Sequence, residues 1–260
     1  MSNFINKNFS LKGKKAIVTG AGGHLCSEIV KSLAFAGCKV AMLDIRPEKV
    51  KKLNSSLEKK GFKDNYYGEL DATDYGQVLQ TSKLIIKKYK NIDILINGAG
   101  INSPTPFFDI TKDEWGKVLD SHLLSTLFFT QIIGKHMIKN KKGSIINFSS
   151  ASSGPPLSKA FSYSVAKSGI KNLTQNTARE FAKKNVRVNS IRPGFFPTEW
   201  NIKNFIDEKR KTSILNHTPM GRFGKPKELA SAIIWLASDS ASFVTGIELP
   251  VDGGFSSMTI

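Results

Sequence analysis

The chain has 260 residues, of which 40% are hydrophobic and 23% are charged, and these values are ordinary for a folded globular protein. Its apolar runs are too short for a transmembrane helix and its first residues lack the apolar core of a secretory signal, so we expect a cytoplasmic protein without membrane contact. The formal net charge of +17 could indicate a nucleic-acid partner, but the lysines are spread along the chain, as is typical of solvated helix faces. We therefore expect no nucleic-acid partner and a field that attracts anionic small molecules.

Stretches rich in β-forming residues alternate with helical stretches along the chain. In the first half the order is strand KKAIVTG, helix SEIVKSLAFAG, strand KVAMLDI, helix PEKVKKLNSSLEKKG, strand NYYGELD, helix YGQVLQTSKLIIKKY and strand IDILINGAG. In the second half a long helix around WGKVLDSHLLSTLFFTQIIGKHMIK precedes strand GSIINFSS, a helix from Tyr163 to about Lys184, strand VRVNSIRPG, a variable segment, a helix near PKELASAIIWLAS and strand IELPVDGG.

This alternation predicts one α/β domain over residues 1–260, a single-domain Rossmann fold. We expect a doubly wound parallel sheet with right-handed crossovers and helices on both faces. Ligands of such sheets bind at the carboxyl ends of the strands. Glycines and polar residues follow the predicted strands at Thr19-Gly20, Asp44, Asp71, Asn97 to Gly100, Ser149-Ser150 and Pro193-Gly194. We therefore expect several loops to form one binding site.

The two cysteines, Cys26 and Cys38, both fall on the first long predicted helix. Twelve residues of helix separate them by ~18 Å, which is too far for a disulfide. We expect both thiols to be reduced.

A glycine-rich turn, Thr19 to Cys26, connects the first strand to the first long helix. Such a turn offers unpaired N–H groups and a favourable helix dipole to a diphosphate. Asp44 ends the second strand, where a carboxylate accepts hydrogen bonds from ribose hydroxyls and repels a 2′-phosphate. This pattern predicts a dinucleotide cofactor and favours NAD over NADP.

Tyr163, Lys167 and Ser150 form the most chemically suggestive group in the chain. Lys167 follows Tyr163 by four residues, so an ammonium one helical turn away should lower the pKa of the phenol. Ser150 lies thirteen residues upstream and can hold a substrate oxygen. The trio predicts an acid/base site that interconverts an alcohol and a carbonyl.

These motifs together resemble the short-chain dehydrogenase/reductase family over nearly the whole chain. The family pattern Thr-Gly-x3-Gly-x-Gly falls on residues 19–26, Asn-Asn-Ala-Gly on 97–100, the catalytic serine on Ser150 and Tyr-x3-Lys on 163–167. The resemblance implies that Tyr163 is the general acid/base, that Lys167 lowers its pKa and binds the nicotinamide ribose, and that Ser150 positions the substrate. It also implies cofactor contacts at Gly20, Gly22, His24, Leu25, Asp44, Asp71, Ala72, Asn97, Ala99, Gly100, Pro193 and Thr198, and no metal.

The chain departs from the family pattern at four positions. His24 and Cys26 replace the second and third glycines of the first motif, and Gly98 replaces the second asparagine. His122 stands where the family has the asparagine that holds a water in the proton relay. Histidine can also donate and accept hydrogen bonds, so His122 either replaces the asparagine or is a buried helix residue. His24 either reaches the diphosphate or points to solvent.

The substrate is less closely defined than the reaction. The segment of about residues 199–220 corresponds to the family's substrate lid, and Trp200, Asn102 and Ser152 are candidates for the pocket. Polar and basic residues there favour a sugar acid, sugar or polyol. The runs PGFFPTE, HTPMGRFG and SFVTGIELPVDGGFS resemble sugar-acid dehydrogenases of the D-mannonate oxidoreductase (fructuronate reductase) type.

Two other functions remain open. A 3-oxoacyl-thioester (acyl-carrier-protein) reductase shares every catalytic motif, and a non-enzymatic protein that senses NAD would keep the fold. The resemblance implies a homo-oligomer, either a tetramer or a dimer.

Overall fold

Seven parallel strands form one sheet in the computed structural model, which describes residues 2–155, 157–198, 202 and 206–258. The strands are β1 (Lys15–Thr19), β2 (Lys39–Asp44), β3 (Tyr66–Glu69), β4 (Ile94–Asn97), β5 (Gly143–Phe148), β6 (Val186–Pro193) and β7 (Glu248–Val251). Their order across the sheet is β3-β2-β1-β4-β5-β6-β7. The strand order reverses between β1 and β4, which is where doubly wound sheets bind ligands.

Helices connect the strands and cover both faces of the sheet. They are α1 (Ser2–Phe9), α2 (His24–Phe35), α3 (Pro47–Glu58), α4 (Tyr75–Tyr89), α5 (Lys112–Lys139), α6 (Phe161–Phe181), α7 (Glu208–Asn216) and α8 (Pro226–Ala237). The prediction of a doubly wound α/β fold is confirmed. Helices α1 and α7 are not predicted by the sequence pattern.

Alternation along the strands builds a core on each face of the sheet. In β1, Ala16 and Val18 pack with α2, α3 and α8, whereas Ile17 packs with α4, α5 and α6. All three side chains are fully buried. A strand buried on both faces needs an apolar residue at every position, which explains the continuous run AIV.

Side-chain caps fix where two of the helices begin. The Asp74 carboxylate accepts a hydrogen bond from the Gln77 N–H at the start of α4. The Thr111 hydroxyl does the same for the Glu114 N–H at the start of α5. Such caps satisfy N–H groups that have no partner within the helix.

Cys38 lies outside α2, contrary to the prediction. The helix ends at Phe35 because Gly37 turns the chain with φ +93°, and Cys38 precedes β2. Cys26 and Cys38 are both free, as expected, and both are buried.

The single-domain boundaries 1–260 and the lid segment of about 199–220 remain predictions. Within that segment the structure describes residues 202 and 206–220, and α7 occupies much of the latter range. Trp200 lies outside the described residues. Among the helices that are described, none is long and apolar enough to cross a membrane.

Candidate active site

Three adjoining cavities open at the carboxyl ends of the strands. The Tyr163 cavity, of about 370 Å³, is lined by residues that include Gly20, His24, Leu25, Cys26, Gly100, Asn102, His122, Ser150, Tyr163, Lys167 and Pro193. The Asp44 cavity, of about 390 Å³, is lined by residues that include Gly20, Asp44, Arg46, Asp71, Ala72, Ala99 and Gly100. The Arg210 cavity, of about 220 Å³, is lined by residues that include Asn102, Ser150, Ser152, Lys159, Tyr163 and Arg210.

The glycine turn after β1 requires glycine at its first position. Gly20 has φ +64°, and a Cβ there would lie 2.8 Å from the Gly98 carbonyl oxygen. The Thr19 hydroxyl accepts hydrogen bonds from the N–H groups of Gly98 and Ala99, which joins this turn to the loop after β4. The two loops therefore form a common wall of the Tyr163 and Asp44 cavities.

The predicted trio comes together in the Tyr163 cavity. Ser150 follows β5 and caps a short 3-10 turn, where its hydroxyl accepts a hydrogen bond from the Ser152 N–H at 3.2 Å. Tyr163 and Lys167 lie one turn apart on α6, and the Lys167 ammonium is 5.4 Å from the centre of the Tyr163 ring. The three groups can therefore act on one bound molecule.

Burial dominates the ionisation of Tyr163. It raises the pKa of the phenol, and the hydrogen bond with Ser150 lowers that pKa by less. The sequence predicts that Lys167 lowers this pKa, whereas the pKa of the buried phenol is raised in the folded chain. Desolvation disfavours the charged phenolate. The effect of Lys167 on Tyr163 stays a prediction.

Lys167 is itself strongly affected by burial. Desolvation lowers the pKa of its ammonium to about 7. Only 5% of its surface is exposed, and Nζ donates a hydrogen bond of 2.7 Å to the Phe148 carbonyl oxygen. This bond fixes the ammonium between the end of β5 and the phenol.

His122 ties α5 to the loop after β4. Its Nε2 lies 2.8 Å from the Ile101 carbonyl oxygen, and because a carbonyl only accepts, Nε2 carries the proton. Burial and the nearby Lys167 charge lower the pKa of His122 to about 3, so the ring is neutral near pH 7. Nδ1 is then a buried acceptor without a hydrogen-bond partner in the described part of the chain.

The ring of His122 also packs beside the Tyr163 phenol. Its centre lies 5.2 Å from the centre of the Tyr163 ring, in an edge-to-face arrangement. A Cβ at Gly100 would overlap the imidazole, so this glycine gives the ring its space. His122 therefore lines the Tyr163 cavity, and its part in a proton relay stays a prediction.

The side-chain volumes at Cys26 and Gly98 are complementary. A Cβ at Gly98 would overlap the Cys26 sulfur, so the thiol occupies the space that a larger residue at 98 would need. The replacement of the family's third glycine by Cys26 is therefore matched by the replacement of the second asparagine by Gly98. Burial raises the pKa of Cys26 to about 12, so the thiol is protonated and acts as a packing group.

Asp44 forms a compact hydrogen-bonded group at the end of β2. Its carboxylate accepts bonds from the Gly22 N–H at 2.8 Å and from the Arg46 N–H and Nε at 3.0 and 2.9 Å. The carboxylate is buried, whereas half of the Arg46 side chain is exposed. Arg46 offsets the negative charge, so Asp44 repels a phosphate less than the sequence alone indicates.

Among the described residues, three that were predicted for the site do not line these cavities. The Gly22 N–H is used by Asp44, and the buried Asn97 amide donates to Asn147 at 2.9 Å beneath the loop. Thr198 follows β6, and its carbonyl accepts a bond from the Ile202 N–H. Trp200 lies outside the described residues.

Several lining residues are not predicted by the sequence pattern. Arg46 and Arg210 carry no motif of their own, since each depends on contacts made after folding. The Phe148 carbonyl could have been expected only from the register of β5 beside α6. No group of three or more His, Cys, Asp or Glu side chains that could hold a metal occurs in the described ranges.

A comparison with protein families agrees with this geometry. The family model described as Enoyl-(Acyl carrier protein) reductase matches residues 20–256. The chain belongs to the short-chain dehydrogenase/reductase family. It is an oxidoreductase that acts on CH–OH groups, and the family uses NAD(P).

Relatives in this family extend over almost the full length of the chain. An uncharacterized oxidoreductase of Haemophilus influenzae is 36% identical and covers 97% of this chain and 96% of its own. The 3-oxoacyl-acyl-carrier-protein reductase FabG of Thermotoga maritima is 34% identical, over 94% and 98% of the two chains. Gluconate 5-dehydrogenase of Gluconobacter oxydans is 32% identical, over 95% and 96%.

Solved structures are also similar over almost the full length of the chain. A candidate D-mannonate oxidoreductase of Haemophilus influenzae with bound NAD has a TM-score of 0.90 and 34% identity, and covers 96% of this chain and 97% of that one. A gluconate 5-dehydrogenase of Burkholderia cenocepacia with NADP and tartrate has a TM-score of 0.91 and 30% identity, over 96% and 98%. The subgroup suggested by the sequence is thus represented among the similar structures.

Proposed function

We propose that this protein is an NAD-dependent dehydrogenase that interconverts a secondary alcohol and a ketone on a sugar acid, sugar or polyol. The observation that carries the proposal is the convergence of Ser150, Tyr163 and Lys167 on one cavity that shares its wall with the Asp44 cavity. The similarity to a gluconate 5-dehydrogenase and to a candidate D-mannonate oxidoreductase supports the substrate class.

The residues present fit a nicotinamide dinucleotide. The glycine turn at the start of α2 suits the diphosphate, Asp44 suits the adenosine ribose, and Asp71 and Ala72 suit the adenine. His24 and Leu25 on the first turn of α2 line the Tyr163 cavity and would flank the diphosphate. When bound, the cofactor supplies the hydride chemistry.

The chain's own groups handle the proton. Ser150 holds the substrate oxygen by hydrogen bond, and Tyr163 takes the hydroxyl proton during oxidation or gives it during reduction. Lys167 stands beside the phenol and favours its charged form when it is itself protonated. A neutral Tyr163 suits reduction, which needs a donor, and the phenolate suits oxidation.

His122 takes the place of the relay asparagine as a hydrogen-bonding group. With a pKa of about 3 it does not carry protons at neutral pH. Its Nδ1 is a buried acceptor, and its ring packs edge-to-face against the Tyr163 ring. We therefore assign it to positioning within the relay rather than to proton transfer itself.

NAD is the proposed cofactor because the Asp44 carboxylate sits where the adenosine ribose hydroxyls would bind. NADP is the alternative, and Arg46 is the observation that favours it. Its guanidinium is half exposed and bonded only to Asp44 within the described residues, so it lies close to where a 2′-phosphate would bind. The ratio of kcat/KM values with the two cofactors decides between them.

The second candidate function is reduction of a 3-oxoacyl thioester. It is favoured by the similarity to FabG of Thermotoga maritima. The third, a protein that senses NAD without catalysis, is opposed by the intact trio in the Tyr163 cavity.

The purified protein is tested against sugar acids, sugars and polyols with NAD and with NADP, by absorbance of the reduced cofactor. We expect turnover of a sugar acid or polyol, faster with NAD. Reduction of a β-ketoacyl thioester without turnover of any carbohydrate would refute the proposal.

Tyr163→Phe is the inactive control for this screen. It removes the proton donor but leaves the ring, so we expect kcat/KM to fall by about 10²–10⁴-fold while cofactor affinity stays close to wild type. Cofactor binding is measured by fluorescence titration. Activity near the wild-type value would remove Tyr163 from the acid/base role.

A further inference from the structure

Arg210 lies in the first turn of α7 and lines the Arg210 cavity. The Asp207 carboxylate caps this helix by accepting the Arg210 N–H at 2.7 Å. The guanidinium donates from Nη1 to the Ser158 hydroxyl at 3.0 Å and from Nη2 to the Ser158 carbonyl at 3.3 Å. These bonds hold the cation at the cavity wall.

The guanidinium of Arg210 pairs with no carboxylate among the residues that the structure describes. Arg46, Arg192 and Arg222, in contrast, are each paired with an acidic side chain. A guanidinium has five N–H donors, and Ser158 uses only two of its nitrogens. Donors therefore remain for a carboxylate ligand, which arginine can bind in a bidentate manner.

The cavity connects this cation with the reactive groups. Ser150, Tyr163 and Asn102 line both the Tyr163 cavity and the Arg210 cavity, whereas Arg210 lines only the second. A molecule with its reacting oxygen at Ser150 and Tyr163 can thus extend toward Arg210.

The rest of the Arg210 cavity suits an anionic, hydroxylated molecule. None of its described lining residues is Asp or Glu, and Lys159 supplies a second positive charge. Ser152 and Asn102 offer hydrogen bonds to hydroxyl groups, while Phe195 and Leu157 add apolar surface.

We propose that Arg210 is a specificity-determining residue that binds the carboxylate of the substrate, so that the enzyme acts on sugar acids in preference to neutral polyols. The inference rests on the proposed function and narrows its substrate class. The carboxylate and the oxidised carbon then lie at different ends of the same carbon chain.

The test compares D-gluconate with D-glucitol, which has the same chain length without the carboxylate, in wild type and Arg210→Gln. We expect kcat/KM for the acid to fall by about 10- to 100-fold and that for the polyol to change by less than about 2-fold. If D-gluconate is a poor substrate, the sugar acid found best in the screen and its alditol replace this pair.

Lys211→Gln is the matched control, because it removes one positive charge from the same helix. Lys211 pairs with Glu208 and does not line the Arg210 cavity. Lys211→Gln should leave the acid-to-polyol ratio unchanged. Ser158→Ala removes one hydrogen bond of the tether but keeps the guanidinium, so it should preserve most of the preference. Arg210→Lys keeps the positive charge but lacks the planar guanidinium, so we expect an intermediate acid-to-polyol ratio of kcat/KM. This variant replaces Arg210→Gln in the test if Arg210→Gln folds poorly.

The outcomes separate this inference from the proposed function. Equal losses for acid and polyol in Arg210→Gln would mean that Arg210 only tethers α7, and the inference would fail while the dehydrogenase activity stood. If wild type oxidises no carbohydrate, the proposed function fails. Calorimetric titration of D-gluconate into the protein with reduced cofactor then tests whether Arg210 binds a carboxylate. Equal binding by wild type and Arg210→Gln would overturn that role.

Discussion

Lys167 is a buried cation beside Tyr163, and only 5% of its surface is exposed. Its pKa is lowered to about 7 by burial, whereas lysine in an unfolded chain titrates near about 10.4. Below about pH 7 Lys167 is protonated in both the folded and the unfolded chain, and the free-energy cost of burying the ammonium is fully present. Between about pH 7 and 10 the unfolded chain binds more protons, so this group makes the folded state more stable as pH rises.

The rise in stability with pH that Lys167 causes can be measured by comparison with Lys167→Met. The free energy of unfolding of wild type minus that of the variant should increase from about pH 7 toward about pH 10. It is measured by urea denaturation at several pH values in this window. The exposed Lys183→Met is the control and should show no such trend. A difference that is independent of pH would contradict the assignment of the lowered pKa to Lys167.

The pair Cys26 and Gly98 predicts coupled stability effects. Gly98→Asn restores the family residue but forces its Cβ into the Cys26 sulfur, so we expect it to destabilise by about 1–3 kcal/mol. Cys26→Gly removes that obstacle, and the double variant should be more stable than the sum of the single effects by about 0.5–3 kcal/mol. The rescue is partial, because the Thr19 carbonyl oxygen would still lie 3.0 Å from the Cβ.

Free energies of unfolding from urea titrations complete this cycle. Cys38→Gly combined with Gly98→Asn is the control, since the Cys38 sulfur bonds to the Leu11 carbonyl and is not a neighbour of Gly98. The control pair should be additive within about 0.5 kcal/mol. Additivity of the Cys26 and Gly98 changes would mean that their departures from the family pattern are unrelated.

At the scale of elements, α5 and the loop after β4 are joined at two adjacent residues of the helix. His122 Nε2 donates to the Ile101 carbonyl at 2.8 Å, and the Ser121 hydroxyl accepts the Ile101 N–H at 3.2 Å. The loop carries Gly100, which lines both the Tyr163 and the Asp44 cavities. The position of the proposed cofactor wall therefore depends on α5.

Substitutions at His122 test this connection. His122→Ala leaves the Ile101 carbonyl without its donor and should destabilise the protein by about 1–3 kcal/mol, with a matching loss of cofactor affinity. His122→Asn can still donate to that carbonyl, so it should lose less stability and retain more activity. Thermal unfolding and cofactor titration are measured on both variants. Equal effects of Ala and Asn would show that the hydrogen bond to Ile101 is unimportant.

The elements that the sequence predicts are those whose patterns are set by burial. The strands around β1 are recognisable because both faces of the sheet need apolar residues, and α2 is recognisable from the turn before it and Gly37 after it. The short helix α7 has only one buried residue, Ile214, and depends on the Asp207 cap, so no periodic apolar stripe marks it. Cys38 was misplaced because the helix ends two residues before Gly37.

The site was predictable in its motifs and unpredictable in its electrostatics. The trio in the Tyr163 cavity, His122 and Asp44 follow from their places after strands or on helices. The raised pKa of Tyr163 depends on burial, which spacing does not contain. The arginine contacts on Asp44 and Ser158 depend on side-chain positions fixed only by the folded chain.

At the scale of the whole molecule, the net charge of +17 creates a field that acts on any charged ligand. If the substrate is a sugar acid, this field should speed its association at low ionic strength. Added salt shortens the Debye length to about 10 Å at 0.1 M and screens charges beyond that distance. Contacts inside the Arg210 cavity are short and are screened less.

Ionic strength should therefore separate the field from the pocket. We expect kcat/KM for a sugar acid to fall by roughly 2- to 10-fold as salt rises from about 10 mM to about 0.3 M, while kcat/KM for the matching polyol stays nearly constant. Arg210→Gln should lower the value for the acid at every salt concentration and leave its salt dependence similar, because most of the positive charge remains. The cofactor is kept saturating so that its own charge does not enter the comparison. Equal salt dependence for acid and polyol would show that the excess of lysine plays no part in substrate capture.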